Sequence, residues 1–429
     1  MAEPRPDLVD ALLRACLTVE SARAAVLSGW GGEYGPDGGS AGKRAAILRE
    51  LCEERGLAVS DHVLDGHTAW MRSLAGDRPD VVPLGPGVVH RLAAWIDIYA
   101  KPFLGDRAEE FERLGEAELR FPIPPRHMER TEAMLERPDL PDGDRFVVLT
   151  DMHIGARGTE ELSRIAAGEI NELAPSFVVV PGDITDDGEP EQFELAHEIL
   201  SGLDAPFHGV LGNHDAVRRS TVQPEGHALY EQSFGTAPLD VVLECGPLQV
   251  ALVDTTDPAP SPFPDWDLAR GGFRDDAGGT NGGALRPGQA EALAEMIDPH
   301  RPALIVCHHE WQPFTAFPPI MFGLRDTDSA ELARVLAGHR LVGIVAGHTH
   351  RSALTQVEGG ISQLEVPSLK DWPFCYTVVT VNGEGAHVTV RQVGAPDVVW
   401  EYAHQVPPIY LGYVFGPLSA PEYTFALES

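Results

Sequence analysis

Lysine is almost missing from this chain: of its 32 basic residues only Lys43, Lys101 and Lys370 are lysines. Acidic side chains number 65, so the formal net charge is −33 (32 − 65) and the pI about 4.7. A surface that acidic repels phosphate backbones and anionic headgroups, which argues against general nucleic-acid binding and docking on anionic membranes. Cysteine is scarce too. Cys16, Cys52, Cys245, Cys307 and Cys375 are odd in number and widely scattered, with no C-x-x-C. That pattern speaks against a disulfide framework and a cysteine-type zinc site. No apolar run approaches the ~18–20 residues a membrane span needs. The amino terminus, interrupted by Arg5, Asp7, Asp10 and Arg14, lacks the apolar core of a signal peptide. The expectation is a soluble, cytoplasmic protein.

What is present suffices for a folded core. At roughly 100–200 residues per domain, the 429 residues allow about two or three domains. The hydrophobic share of 43% excludes global disorder. Residues 1–140 read as a mainly helical region. Between Asp7 and Leu27, apolar residues at Leu8, Leu12, Ala15, Cys16, Val19 and Val26 follow a helical spacing. A second helical stretch carries Ile47, Leu48, Leu51 and Cys52 before Gly56, a C-cap candidate. A third runs from Val88 to Tyr99, with Pro102 blocking its continuation. Gly29–Gly42 and Pro79–Gly87 read as loops, and Pro138–Asp144 as a linker.

Beyond the linker the texture changes. Short β-rich runs alternate with helix-compatible segments: Phe146–Thr150, Phe177–Pro181, Phe207–Leu211, Val250–Val253, Ala303–Cys307 and Leu341–Ala346. The alternation predicts an α/β domain over 141–395 with largely buried strands. Tyr376–Val381, Asn382-Gly383 and His387–Val393 predict a hairpin. Residues 396–429, rich in Pro, Tyr and Gly, read as an irregular tail.

Five of the runs end in chemistry. They are followed by Asp151-Met152-His153, by Gly182-Asp183, by Gly212-Asn213-His214-Asp215, by His308-His309 and by Gly347-His348-Thr349-His350. In open α/β sheets ligands bind at that carboxyl edge. Carboxylates, a carboxamide and imidazoles without thiolate suit Mn, Fe or Zn. Seven such groups exceed one tetrahedral zinc site and suit a pair of ions sharing a carboxylate. Asp151 and His153, like His348 and His350, are two apart, so an extended backbone would turn each pair to one side. Glycines 182, 212 and 347 fit sharp turns off the sheet.

The ordered series D-M-H, G-D, G-N-H-D, H-H and G-H-T-H resembles the calcineurin-like metallophosphoesterases over about residues 145–395, nearer their bacterial phosphodiesterase branch. The resemblance implies an α/β/β/α sandwich and a hydrolase that cuts phosphodiesters or phosphomonoesters with a hydroxide bridging two metal ions (Mn, Fe or Zn). By position, Asp151, His153 and His350 would hold one ion, Asn213, His308 and His348 the other, and Asp183 would bridge them. His214 would protonate the leaving oxygen or contact the phosphoryl group, and Asp186 would orient His214. Relatives usually carry His-x-Pro at the fourth motif, where this chain has Cys307-His308-His309-Glu310. Alignment to the strand end favours His308 over His309 as ligand. Neighbours in a strand face opposite sides, so both should not bind one ion.

The charge balance favours a small soluble phosphate ester, with a phosphodiester ahead of a phosphomonoester. The non-enzymatic alternative is a catalytically silent, metal-stabilised interaction protein. Several residues stay open at this level. Cys307 reads as a core cysteine rather than a nucleophile. His197, His208 and His227 read as packed or surface histidines. Arg218 and Arg219 are either phosphate clamps or solvated loop residues. The Gly-rich insertion Asp257–Arg286 is either a lid or a passive loop. Trp311 and Trp372 either line a pocket or pack in the core. The helical region 1–140 would cap the site, join two copies as a homo-oligomer, or bind a partner.

Overall fold

The computed structural model describes residues 13, 16–17, 20–21, 24, 39–57, 104–116, 137, 139–216, 226–256, 265–267, 272–274, 282–311, 323–350, 352–357, 359–403 and 422–427. The Val88–Tyr99 helix, Arg218, Arg219 and most of the Asp257–Arg286 insertion lie outside them. No helix among the described residues is long and apolar enough to cross a membrane.

Two six-stranded sheets carry the chain beyond the linker. The first contains β1 (Asp144–Val148), β2 (Val178–Pro181) and β3 (Phe207–Val210). The second contains β4 (Val241–Cys245), β5 (Leu248–Val253), β6 (Ala303–Cys307), β7 (Leu341–Ala346), β8 (Ala353–Gln356) and β9 (Ser362–Glu365). The chain then returns to the first sheet with β10 (Cys375–Val381), β11 (Ala386–Gln392) and β12 (Glu422–Phe425). The spatial orders are β12-β11-β10-β1-β2-β3 and β8-β9-β7-β6-β5-β4. Strands β1, β2 and β3 run parallel in one sheet, and β5, β6, β7 and β9 in the other. Their carboxyl ends therefore share an edge within each sheet.

Strand alternation sorts the side chains into layers. Phe146, Val148, Val179 and Val210 meet Val250, Leu252, Leu304, Val306 and Val345 between the sheets. The intervening Val147, Val178 and Val180 face outward, under α3 (Thr159–Leu173) and α4 (Pro190–Leu200), where Leu162, Ala166, Ile170, Phe193 and Ile199 cover them. On the other side Ala251, Ile305, Cys307 and Ile344 lie beneath α6 (Gln289–Met296) and α7 (Asp326–Val335), through Leu293 and Leu332. The result is an α/β/β/α sandwich, as expected. Between α4 and α6 the chain also forms α5 (Gly226–Phe234).

Before the linker, the described segments include α1 (Gly39–Glu54) and α2 (Ala108–Glu116). Gly56 closes α1 with φ +68, Gly56 N–H donating to Glu53 O and Leu57 N–H to Cys52 O, the predicted cap. The loop read over Gly29–Gly42 ends early, because α1 already begins at Gly39. The Arg44 guanidinium lies 3.8 Å from the Phe111 ring centre and pairs with Glu20 at 2.7 Å.

The tail read as irregular is not so throughout. Pro396–Ala403 forms α8, whose Val399 packs on the first sheet, and β12 pairs with β11 as its edge strand. Phe425 of β12 enters the layer between the sheets. That burial, set by a partner strand rather than by local pattern, is why composition misread it. Trp311 and Trp372 are both buried in core layers, and Cys307 lies in the core with its thiol pushed up by burial.

Candidate metal centre

Every motif read from the sequence arrives at the adjoining carboxyl edges of the two sheets. Asp151 and His153 follow β1, Asp183 follows β2, Asn213 and His214 follow β3, His308 follows β6, and His348 and His350 follow β7. Asp151, His153, Asp183, Asn213, His308, His348 and His350 are all buried. The local backbone is not the extended one expected. Asp151, His153, Asp183, His348 and His350 have φ of +52, +48, +48, +68 and +55. Such conformations cost non-glycine residues about 1–3 kcal/mol each and persist only where their surroundings hold them. Here backbone bonds between loops do so. Asp151 N–H donates to Gly182 O, His153 N–H to Asp183 O, and His348 N–H to Asp151 Oδ1. As a result His348 and His350 do not turn to one side: His348 Nδ1 faces His308 Nε2 at 3.2 Å, and His350 Nε2 faces His153 Nε2 at 3.1 Å.

The glycines serve close approach more than turning. Gly182 does take φ +98, but Gly212 and Gly347 have no positive φ. A Cβ on Gly212 would overlap the Asp183 backbone and carboxylate, and one on Gly347 would overlap Thr150 and Asp151.

The donors form two groups. Asp151, His153, Asp183 and His350 each bring one ligand atom within 4.8 Å of the others, and so do His308, His309 and His348. Asp183 spans them: Oδ2 lies 3.3 Å from His153 Nε2, and Oδ1 lies 3.4 Å from His308 Nε2. Asn213 Oδ1 is 3.2 Å from His308 Nε2, which places it at the second group. His153, Asp186 and His214 make a third cluster at the rim.

Outer partners fix which ring nitrogen faces inward. His153 Nδ1 bonds Asp186 Oδ1 at 2.8 Å, His308 Nδ1 donates to Pro181 O at 3.0 Å, and His350 Nδ1 bonds Asp371 Oδ2. A ring that donates at Nδ1 presents a bare Nε2 lone pair, the arrangement that metal-binding histidines use. The inward nitrogens of His153 and His350 then face each other and Asp151 Oδ1, at 3.1 Å in each case from His350 Nε2. Acceptors so close together require a positive charge among them. The His350 ring answers that field. Burial by itself lowers it, but Asp151 and Asp371 push it up to about 9. Burial would raise the Asp183 carboxyl, yet the charges of His308 and His214 hold it well below its ordinary range. The donor set thus fits cations that prefer imidazole and carboxylate.

The sequence reading gave no role to three groups and set a fourth, His309, against His308 as an alternative. Asp371 and Lys370 come from the loop before β10. Lys370 Nζ donates to Asp186 Oδ1 at 2.7 Å. Asp215 accepts from Ile184 N, Thr185 N, Thr185 Oγ1 and Gly212 N, tying the second loop to the third. Burial, with the nearby Asp183 charge, raises its carboxyl to about 6. His309 was weighed only in place of His308, not beside it. Strand alternation was expected to turn it away from His308, but β6 stops at Cys307, and both histidines lie in the bend beyond. Their rings sit 4.7 Å apart, and the His309 ring is 4.8 Å from that of His348. The signal was present in the sequence, since an apolar run that ends at Cys307 leaves neither histidine inside the strand. Asp186 does reach His214, but by its backbone carbonyl at 2.8 Å from Nδ1. His227, read as a surface or helix-face histidine, lies on α5 and pairs with the buried Asp254 at 3.1 Å.

The family model for calcineurin-like phosphoesterases matches residues 144–352. A cAMP/cGMP dual specificity phosphodiesterase of Mycobacterium tuberculosis is 28% identical over 266 residues, 58% of this chain and 71% of that protein. A protein of Rhodopseudomonas palustris named as a probable cyclic nucleotide phosphodiesterase is 30% identical over 224 residues, 48% of this chain and 72% of the relative. One of Arcobacter nitrofigilis, named as a probable glycerophosphodiester phosphodiesterase, is 24% identical over 229 residues, 49% and 72% of the two chains.

Proposed function

Since this chain belongs to the calcineurin-like phosphoesterase family, we propose that it hydrolyses phosphodiesters of small soluble molecules at a centre of two metal ions. The observation that carries this reading is the position of Asp183. Its two carboxylate oxygens each face a histidine of a different donor group, 3.3 Å to His153 and 3.4 Å to His308. One carboxylate between two sets of donors is the arrangement a pair of ions requires. Asp151, His153 and His350 would hold one ion, Asn213, His308 and His348 the other, with Asp183 common to both.

Bound ions of this kind supply Lewis acidity toward phosphoryl oxygens and bring the pKa of a water near neutrality. The chain's own residues do the rest. With cations in place of a proton, His153, His308 and His350 would keep their Nδ1 hydrogens on Asp186, Pro181 O and Asp371 and leave their inward nitrogens free to bind. His214 Nδ1 can only donate to the Asp186 carbonyl oxygen. A second proton can then sit on Nε2 and pass to the leaving oxygen, a step typically worth ~10²–10⁴ in rate. The three relatives carry phosphodiesterase names, which favours a diester over a monoester. The net charge of −33 favours a small substrate over a long polyanion.

The test is a comparison of bis-p-nitrophenyl phosphate with the mono-ester, after elemental analysis of the purified protein and with Mn, Zn or Fe supplied. Faster turnover of the diester, abolished together with metal uptake in Asp183→Asn, is the expected result. No hydrolysis with any of these metals, and unchanged metal content in Asp183→Asn, would leave the interaction-protein reading in its place.

A further inference from the structure

We propose that His309 is an additional metal ligand, a third imidazole for the ion beside His308 and His348, so that the two halves of the centre are chemically unequal. This inference rests on the two-metal reading above and names a residue which that reading does not use.

Three observations meet at this side chain. His309 is fully buried, and its Nε2 has no hydrogen-bond partner among the described residues. A buried imidazole nitrogen with nothing to bond is costly unless something else occupies its lone pair. Nδ1 is already engaged, 2.8 Å from Thr255 Oγ1 at the end of β5. If Nδ1 donates there, Nε2 is the bare nitrogen that a ligand needs. Finally, His309, His308 and His348 each offer a ligand atom within 4.8 Å of the other two.

The ring is also held in place. The strand segment Gly282–Gly283 runs against it so closely that a Cβ on Gly283 would lie 2.7 Å from His309 Cβ and Cγ. Glycine there lets the backbone come up to the imidazole. Thr255, Gly283, and the rings of His308 and His348 thus constrain it from different elements. A merely packed histidine has no need of a buried ring nitrogen left without a bond beside two other imidazoles.

The consequence is a difference in donor type. One ion would meet two carboxylates, Asp151 and Asp183, with two imidazoles. The other would meet three imidazoles, the neutral oxygen of Asn213, and a share of Asp183. Nitrogen-rich sets suit Zn, Fe and Ni, whereas carboxylate-rich ones suit Mn and Mg. The two positions should therefore rank divalent ions differently.

Stepwise metal binding to the full-length protein, followed by calorimetry and by competition with a chromophoric chelator, tests this with Zn and Mn. In His309→Ala one of the two binding steps should weaken about 10- to 100-fold for Zn, and the other should keep its wild-type affinity. Added imidazole should restore the weakened step, and a thermal melt reports whether the variant is folded. Thr255→Val, which keeps the ring and removes its partner, should weaken the same step about tenfold. Two wild-type affinities in a folded His309→Ala overturn the assignment, even if the substrate KM rises. Fewer than two ions bound by the wild type overturn the two-metal reading, and this inference with it.

Discussion

Asp186 touches His214 with its backbone and His153 with its side chain. The Asp186 carbonyl oxygen is 2.8 Å from His214 Nδ1, whereas carboxylate Oδ1 is 3.9 Å away from it and bonds His153 Nδ1 and Lys370 Nζ instead. On the proposed function these two histidines would have different duties, and the two contacts can be separated by mutation. Asp186→Ala keeps the carbonyl. It should weaken metal binding about 10- to 100-fold, the usual effect of removing a histidine's outer carboxylate. At saturating metal, the pH dependence of kcat should stay close to that of the wild type. A shifted alkaline limb in that profile would mean that the carboxylate acts on His214 after all.

His214→Ala should do the reverse. Turnover of a diester with a poor leaving group should fall about 10²- to 10⁴-fold, with metal content by elemental analysis unchanged. A p-nitrophenolate leaving group, which needs little proton assistance, should be affected far less. Loss of both ions in this variant would assign His214 to the metal centre instead.

Gly212→Ala tests close approach. The added methyl would overlap both the Asp183 backbone nitrogen and its carboxylate, and the backbone cannot swing aside. Overpacking of this kind costs about 1–3 kcal/mol. The expected outcome is a lower melting temperature together with lost metal, since Asp183 must move. A variant of unchanged stability that binds both ions normally would contradict the packing described for this loop.

Asp254 is the buried acid of a second network, with Arg286 Nη1 at 2.8 Å and His227 Nε2 at 3.1 Å. Burial alone would raise its carboxyl, but the bonds from His227 and Thr256 and the Arg286 charge hold it below the ordinary 3.8. A carboxyl with a depressed folded-state pKa contributes stability above its unfolded value, and that contribution disappears as pH falls through the folded one. Asp254→Ala should therefore lose about 2–4 kcal/mol at pH 7, discounted for partial exposure of Arg286. The gap from wild type should close only below about pH 4. Urea midpoints measured from pH 3 to 7 check both the size and the window.

The centre's inner residues could be read from the chain because the strands that deliver them are short apolar runs. Phe146–Thr150, Phe177–Pro181 and Leu341–Ala346 bury both faces, and such runs stand out without knowledge of their partners. The polar residue that follows each must lie at a sheet edge. The boundaries shifted by a residue or two, as β1 does by starting at Asp144 and ending at Val148. β12 was lost altogether, because Glu422–Phe425 is a strand only through its bonds to β11.

The amino-acid order by itself determined which side chains could bind metal, and that parallel strands would carry them to one rim. Residue type and hydrophobic period are local properties, legible within a few positions. Only the folded chain decided that Asp371 backs His350, that Asp186 turns its carboxylate to His153, and that His309 joins His308. Those relations connect positions up to 33 residues apart, or depend on a strand that stops at Cys307 instead of running on through both histidines. They are set by how loops with positive φ are held against one another, and no local pattern encodes that.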